Sequence, residues 1–141
     1  MIPDFVGQAV ERLAQIATML RQVGAAADLA AAEQGVRTTP AAFVLPLAER
    51  AGAAPHTAEF RQRVLLSARV VFAVSNKADA RGDAARESLI TARQSARDAI
   101  AGWVPEGCIE PAEFTAGQLL RLDRGLLWWH DDFATAYLEP V

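Results

Sequence analysis

FRQRVLLSARVVFAVS, Phe60 to Ser75, is the longest β-like run in the chain, and its reading decides the fold. Taken at period two, one side presents Phe60, Gln62, Val64, Leu66, Ala68, Val70, Phe72 and Val74, an unbroken apolar face after its second position. The other side presents Arg61, Arg63, Leu65, Ser67, Arg69, Val71, Ala73 and Ser75, so its first half is a row of arginines. Helical spacing would scatter Arg61, Arg63 and Arg69 around a cylinder instead of grouping them. The pattern predicts a strand that buries one face on a core, with a bend or bulge expected for its length.

Before this run, Ala41 to Glu49 (AAFVLPLAE) predicts a short strand. Its Pro46 cannot donate to a ladder and belongs at an edge or bulge. Ala51 to Thr57, with Gly52 and Pro55, is a loop between the two strands, which together make a long-looped hairpin. Upstream, Val6, Val10, Leu13, Ile16 or Ala17, and Leu20 recur at helical spacing, predicting an amphipathic helix from Pro3 to Gln22 that Gly24 ends. Ala25 to Gln34 is alanine-rich and predicts a short second helix with Asp28 as its cap. Gly35, Thr38, Thr39 and Pro40 read as a turn.

Downstream, Asn76 to Asp83 is a polar connection, and Asp83 is positioned to cap the helix that follows. In that helix Leu89, Ile90, Arg93, Ala96, Ile100 and Trp103 mark one side, and Gly102 and Pro105 stop it. Its arginines, Arg86, Arg93 and Arg97, read as a solvated face interleaved with Glu87 and Asp98. Glu106 to Phe114 is turn-rich. Gln118 to Leu122 and Leu126 to Leu138 then form a hairpin around Asp123, Arg124 and Gly125. Alternation in its second arm separates Trp129, Asp131 and Phe133 from Trp128, His130 and Asp132, so one tryptophan faces a partner or a second layer. The order of elements predicts an α+β fold: a mostly antiparallel sheet with the N-terminal helix and the long central helix packed on one face.

At 141 residues the chain is expected to form one domain spanning 1–141, burying roughly 70% of its unfolded surface. Cys108 is the only cysteine, so no internal disulfide is available. The net charge of −3 argues against a module that wraps nucleic acid electrostatically. We expect no signal peptide and no membrane span, hence a soluble intracellular product.

Catalytic signatures are absent: there is no phosphate-cradling glycine loop, no GxSxG elbow and no HExxH pair. Cys108 with His56 and His130 is the one possible nucleophilic set, and no spacing unites it. His130, Asp131 and Asp132 suggest metal ligands, but only His130 and Asp132 share a side of the strand, and two ligands do not make a transition-metal site. A polar patch at a bulge or a subunit contact suits them better. The arginine row is either an exposed sheet face or an interface facing acids on another chain. No cofactor or metal is expected.

Four blocks carry a resemblance: AAFVLPLAERA (Ala41 to Ala51), VVFAVSNKADARGDAARESL (Val70 to Leu89), AGW ending at Trp103, and GQLLRLDRGLLWWHDDFATAYL (Gly117 to Leu138). In these the chain resembles the tail terminator, or tail-completion, proteins of long-tailed bacteriophages. The resemblance implies a structural, non-enzymatic virion protein. Such a protein forms a ring of six on the head-proximal end of the tail tube, halts tube polymerisation, and offers the surface for head attachment. It implies the tail tube protein, a head-completion or neck protein and copies of itself as partners, with DNA passing through the lumen without specific binding. From the residue pattern we place one subunit patch at Trp128, Trp129, His130, Asp131, Asp132 and Phe133, and another at Arg61, Arg63 and Arg69. A head-completion or neck adaptor is the alternative function, and a small α+β ligand-binding domain around Cys108 and His130 a further one.

Overall fold

The computed structural model describes residues 1–53, 61–76 and 82–140. The long apolar run forms a strand over Arg61–Ser75. Phe60, His56 with most of its loop, and Lys77, Asp79 and Arg81 of the polar connection lie outside the described residues. In chain order the elements are α1 (Phe5–Ile16), β1 (Gln22–Ala25), α2 (Leu29–Gly35), β2 (Ala41–Ala51), β3 (Arg61–Ser75), α3 (Asp83–Ile100), β4 (Glu113–Asp123) and β5 (Leu126–Pro140). They build an α+β fold on one sheet ordered β1-β2-β3-β5-β4, with β3 at its centre. Every pairing is antiparallel except β1 with β2.

The even-numbered face of β3 meets α1 and α3, as its apolar pattern requires. Ala68, Val70, Phe72 and Val74 pack there with Phe5, Ala9 and Leu13 of α1 and Leu89, Ala92, Ala96 and Ile100 of α3. Those spacings are the stripes that each helix can bury. A tilted ring contact between Phe5 and Trp103, 6.3 Å between centroids, ties the start of α1 to the segment after α3. The opposite face has a core of its own, where Phe43, Leu45, Val71, Ala73 and Trp128 gather under Ala32, with Leu29 and Val36 at its margin. Thus α2 covers part of the second face, a layer beyond the two helices predicted for the first.

Three local expectations need correction. The N-terminal helix stops at Ile16, well short of Gln22, and Gly24 sits within β1. Four residues, QVGA, carry too little alternation to announce a strand. The side chain of Asp4 caps α1 by accepting the amide of Gly7 at 2.9 Å, and Asp28 caps α2 through the amide of Ala31 at 2.8 Å. By contrast, α3 has Gly82 at its cap with φ 75°, and Asp83 instead pairs with Arg86 one turn on. Ile90, assigned to the packed side of α3, is exposed, and the buried stripe runs through Ala85, Leu89, Ala92 and Ala96.

Pro46 lies where its missing donor costs least. β1 accompanies β2 only from Ala41 to Val44, so Pro46 is on the free half of β2, and the register against β3 slips between Pro46 and Ala48. At the other end of the sheet, Arg124 (φ 53°) and Gly125 (φ 77°) make the tight turn between β4 and β5. Positive φ at both central positions matches the twist of the strands they join.

Candidate interaction surfaces and the paired aspartates

β5 lies between β3 and β4, and strand alternation divides its side chains between the two covered faces of the sheet. The segment Trp128 to Phe133 is consequently turned into the chain: Trp128, His130, Asp131, Asp132 and Phe133 are buried and Trp129 is half-buried. Trp128 joins the core under α2, while Trp129 packs at the core under α1 and α3. The second layer that alternation demanded for one tryptophan is therefore supplied by the chain itself.

Asp131 faces α3 and is fully buried. Arg93 donates from Nε to Oδ1 at 3.2 Å and to Oδ2 at 3.0 Å, and from Nη2 to Oδ1 at 3.0 Å. The indole Nε1 of Trp129 adds a donor at 2.9 Å, and the guanidinium of Arg93 lies 4.4 Å above the Trp129 ring. Each acceptor lone pair used this way offsets part of the cost of removing the carboxylate from water. Arg97 stands farther off, 3.7 Å from Oδ2, and rests on the ring of Phe114 at 3.8 Å. These two arginines, read from sequence as solvent-facing, instead point at the sheet. Gly117 is the cross-strand neighbour of Asp131, and any Cβ there would stand 2.5 Å from its Oδ1. The glycine makes room for the ion pair.

Asp132 faces the other way. Arg69, its cross-strand neighbour on β3, grips it bidentately at 2.8 and 3.1 Å, and Nδ1 of His130 lies 3.1 Å from Oδ1. Those hydrogen bonds raise the pKa of the Arg69 guanidinium above its ordinary value against the opposing effect of burial. Acid and base from the two patches chosen in sequence thus meet inside one chain. Farther along the same face, Arg63 is exposed and pairs with Glu110 at 2.5 and 2.7 Å. That pairing, chiefly through the hydrogen bond, raises the Arg63 pKa and lowers that of the Glu110 carboxyl. Arg61 is exposed at the start of the strand.

Among the described residues no group of three or more His, Cys, Asp or Glu side chains is placed to hold a metal ion. Cys108 is partly buried, and that burial pushes its thiol pKa up, away from the thiolate that nucleophilic chemistry needs. Tyr137, by contrast, donates to Glu49 Oε1 at 2.6 Å across the sheet, and this bond with its burial pushes the phenol up to about 12. The polar residues of β5 are engaged in holding layers together.

Among the described residues, the sheet itself is exposed along the outer side of β4, the free half of β2 and the beginning of β3. Compared with known families, residues 5–140 match the phage tail terminator protein family. The chain belongs to that family. The match spans every element of the fold, from the start of α1 to the end of β5. Membership makes this a structural component of the phage tail, concerned with its completion, in a family of structural proteins. No curated protein matches the sequence. Among the described residues no helix is long and apolar enough to cross a membrane.

Proposed function

We propose that the chain, acting as one domain over residues 1–141, closes into a hexameric ring on the head-proximal end of the tail tube. The ring stops addition of tube subunits and presents a surface to a head-completion or neck protein. The observation that carries this reading is the family match over residues 5–140. The net charge of −3 suits a ring through which DNA passes, because a basic lumen would hold phosphate. A closed ring uses two different patches on each subunit. Arg61 and Arg63, at the surface on the first residues of β3, belong to one of them in this proposal. The buried Trp128 to Phe133 segment contributes to the other through β4, the strand beside it.

The test adds purified protein to the polymerising tube subunit of the same phage and measures tube length by negative-stain imaging. Termination predicts shorter, capped tubes and six-fold rings at their ends. Unaltered tube lengths would overturn it in favour of a neck adaptor. For the first patch, glutamate at both Arg61 and Arg63 should keep the fold and weaken ring assembly, and unchanged rings would remove those residues from the contact.

A further inference from the structure

We infer that neighbouring copies join edge to edge. In this contact the shelf made by Arg97 and Phe114 beside the β4 edge receives the Glu49 carboxylate from the β2 edge of a second copy. The inference rests on the ring reading above and names a contact within it.

The receiving side is defined by an incomplete ion pair. Arg93 already supplies the hydrogen bonds that the side chain of Asp131 takes from α3, and Arg97 reaches that carboxylate only at 3.7 Å. Its Nε is buried with no hydrogen-bond partner among the described residues. Two guanidinium groups facing one carboxylate leave a positive charge uncompensated, and Arg97 keeps about a third of its side chain exposed. The exposed part of the Arg97 guanidinium therefore offers an arriving carboxylate a charge to pair with and a charge-assisted hydrogen bond to accept. Phe114, under the guanidinium, is itself 36% exposed.

The edge beside this shelf is open. No described residue pairs with the outer side of β4, which has eleven residues and no proline. Leu119 (49% exposed) and Leu122 (61% exposed) continue from Phe114 along it, beside a groove of about 350 Å³ that reaches Leu89 and Trp129. Unpaired edge backbone flanked by apolar side chains is a template for another strand.

The opposite end of the same sheet supplies the match. β1 and the free half of β2 form the other edge, and there Leu47 and Glu49 are exposed. Glu49 is held in place by the Tyr137 hydroxyl on Oε1, and among the described residues Oε2 has no second donor. Both partners belong to one face of the sheet: Glu49 is opposite Leu66, Leu66 opposite Thr135, and Phe114 opposite Phe133, so their levels differ by two residues along β5. Strand directions agree as well. β1 and β2 run opposite to β4 in the sheet, so copies related by rotation about an axis along the strands would meet antiparallel. Using one edge to receive and the other to insert satisfies the two-patch requirement of a ring.

The experiment is a charge exchange read by sedimentation velocity on the full chain, with far-UV dichroism and melting curves to confirm folding. Arg97→Glu and Glu49→Arg should each weaken self-association by about tenfold or more. The double variant should recover most of it. Because Arg97→Glu puts a second acid near Asp131, the neutral pair Arg97→Gln and Glu49→Gln is measured alongside and should weaken association in the same direction. Wild-type association with unaffected single variants would overturn the contact while leaving the ring standing. Weakened singles without recovery in the double would overturn the pairing of these two residues. A wild type that stays monomeric, alone and with tube protein, would overturn the ring and this contact with it.

Discussion

Asp131 and Asp132 are adjacent in sequence and live in different solvents. The first is sealed between the sheet and α3, with Arg93 and the indole of Trp129 as donors. The second, on the other face, shares Arg69 with a rim where that arginine keeps 33% of its side chain exposed. One residue of strand alternation separates the two settings. Burial of a charge raises both its cost and the damage done when its partner is lost, so equal chemistry at the two positions should have unequal consequences.

Asp131→Asn should have the largest effect. It leaves Arg93 facing a neutral amide in a buried place and should destabilise the fold by about 3 kcal/mol, measured by urea denaturation. Asp132→Asn should cost about 1–2 kcal/mol, because Arg69 can turn its charge toward water when the bidentate grip is lost. Equal losses at the two sites would mean that burial does not set the difference, and that the arginines of α3 contribute as little as surface ones.

The same pair marks how far sequence reasoning reaches. Period two in β3 and β5 was enough to place Asp131 and Asp132 on opposite faces, to put Arg69 on a face with other arginines, and to separate the two tryptophans. The tight turn at Arg124 and Gly125, the irregularity at Pro46 and the Asp28 cap were legible because each depends on local stereochemistry. Partner choice was not. Whether Arg69 meets an acid of its own chain depends on the register of β3 against β5, which no single strand encodes. Arg93 and Arg97 looked solvated because Glu87 and Asp98 neighbour them on α3, whereas their acid lies on β5, 38 and 34 positions away. Gly117 was the available clue: a glycine in a strand pattern signals close approach by something bulky, here the Asp131 ion pair.

Beyond Asp132, toward the rim, Arg63 and Glu110 make a third pair that sharpens the trend at its exposed end, with side chains 51% and 38% accessible. Solvent screens such a pair, so Arg63→Ala should leave the melting temperature nearly unchanged. Its signature belongs in the titration of Glu110, whose pKa the arginine holds below the ordinary carboxylate range. The sign follows from which state binds the proton more weakly. A carboxyl depressed in the folded chain adds stability above the ordinary glutamate range, and that contribution disappears as pH falls through the depressed value. Following the Glu110 side-chain carboxyl by NMR across the acid range should therefore show a midpoint below that of an ordinary glutamate, moving upward in Arg63→Ala. A midpoint indifferent to Arg63 would mean that the guanidinium is free at the rim in solution, and the gradient from sealed to exposed pairs would end at Asp132.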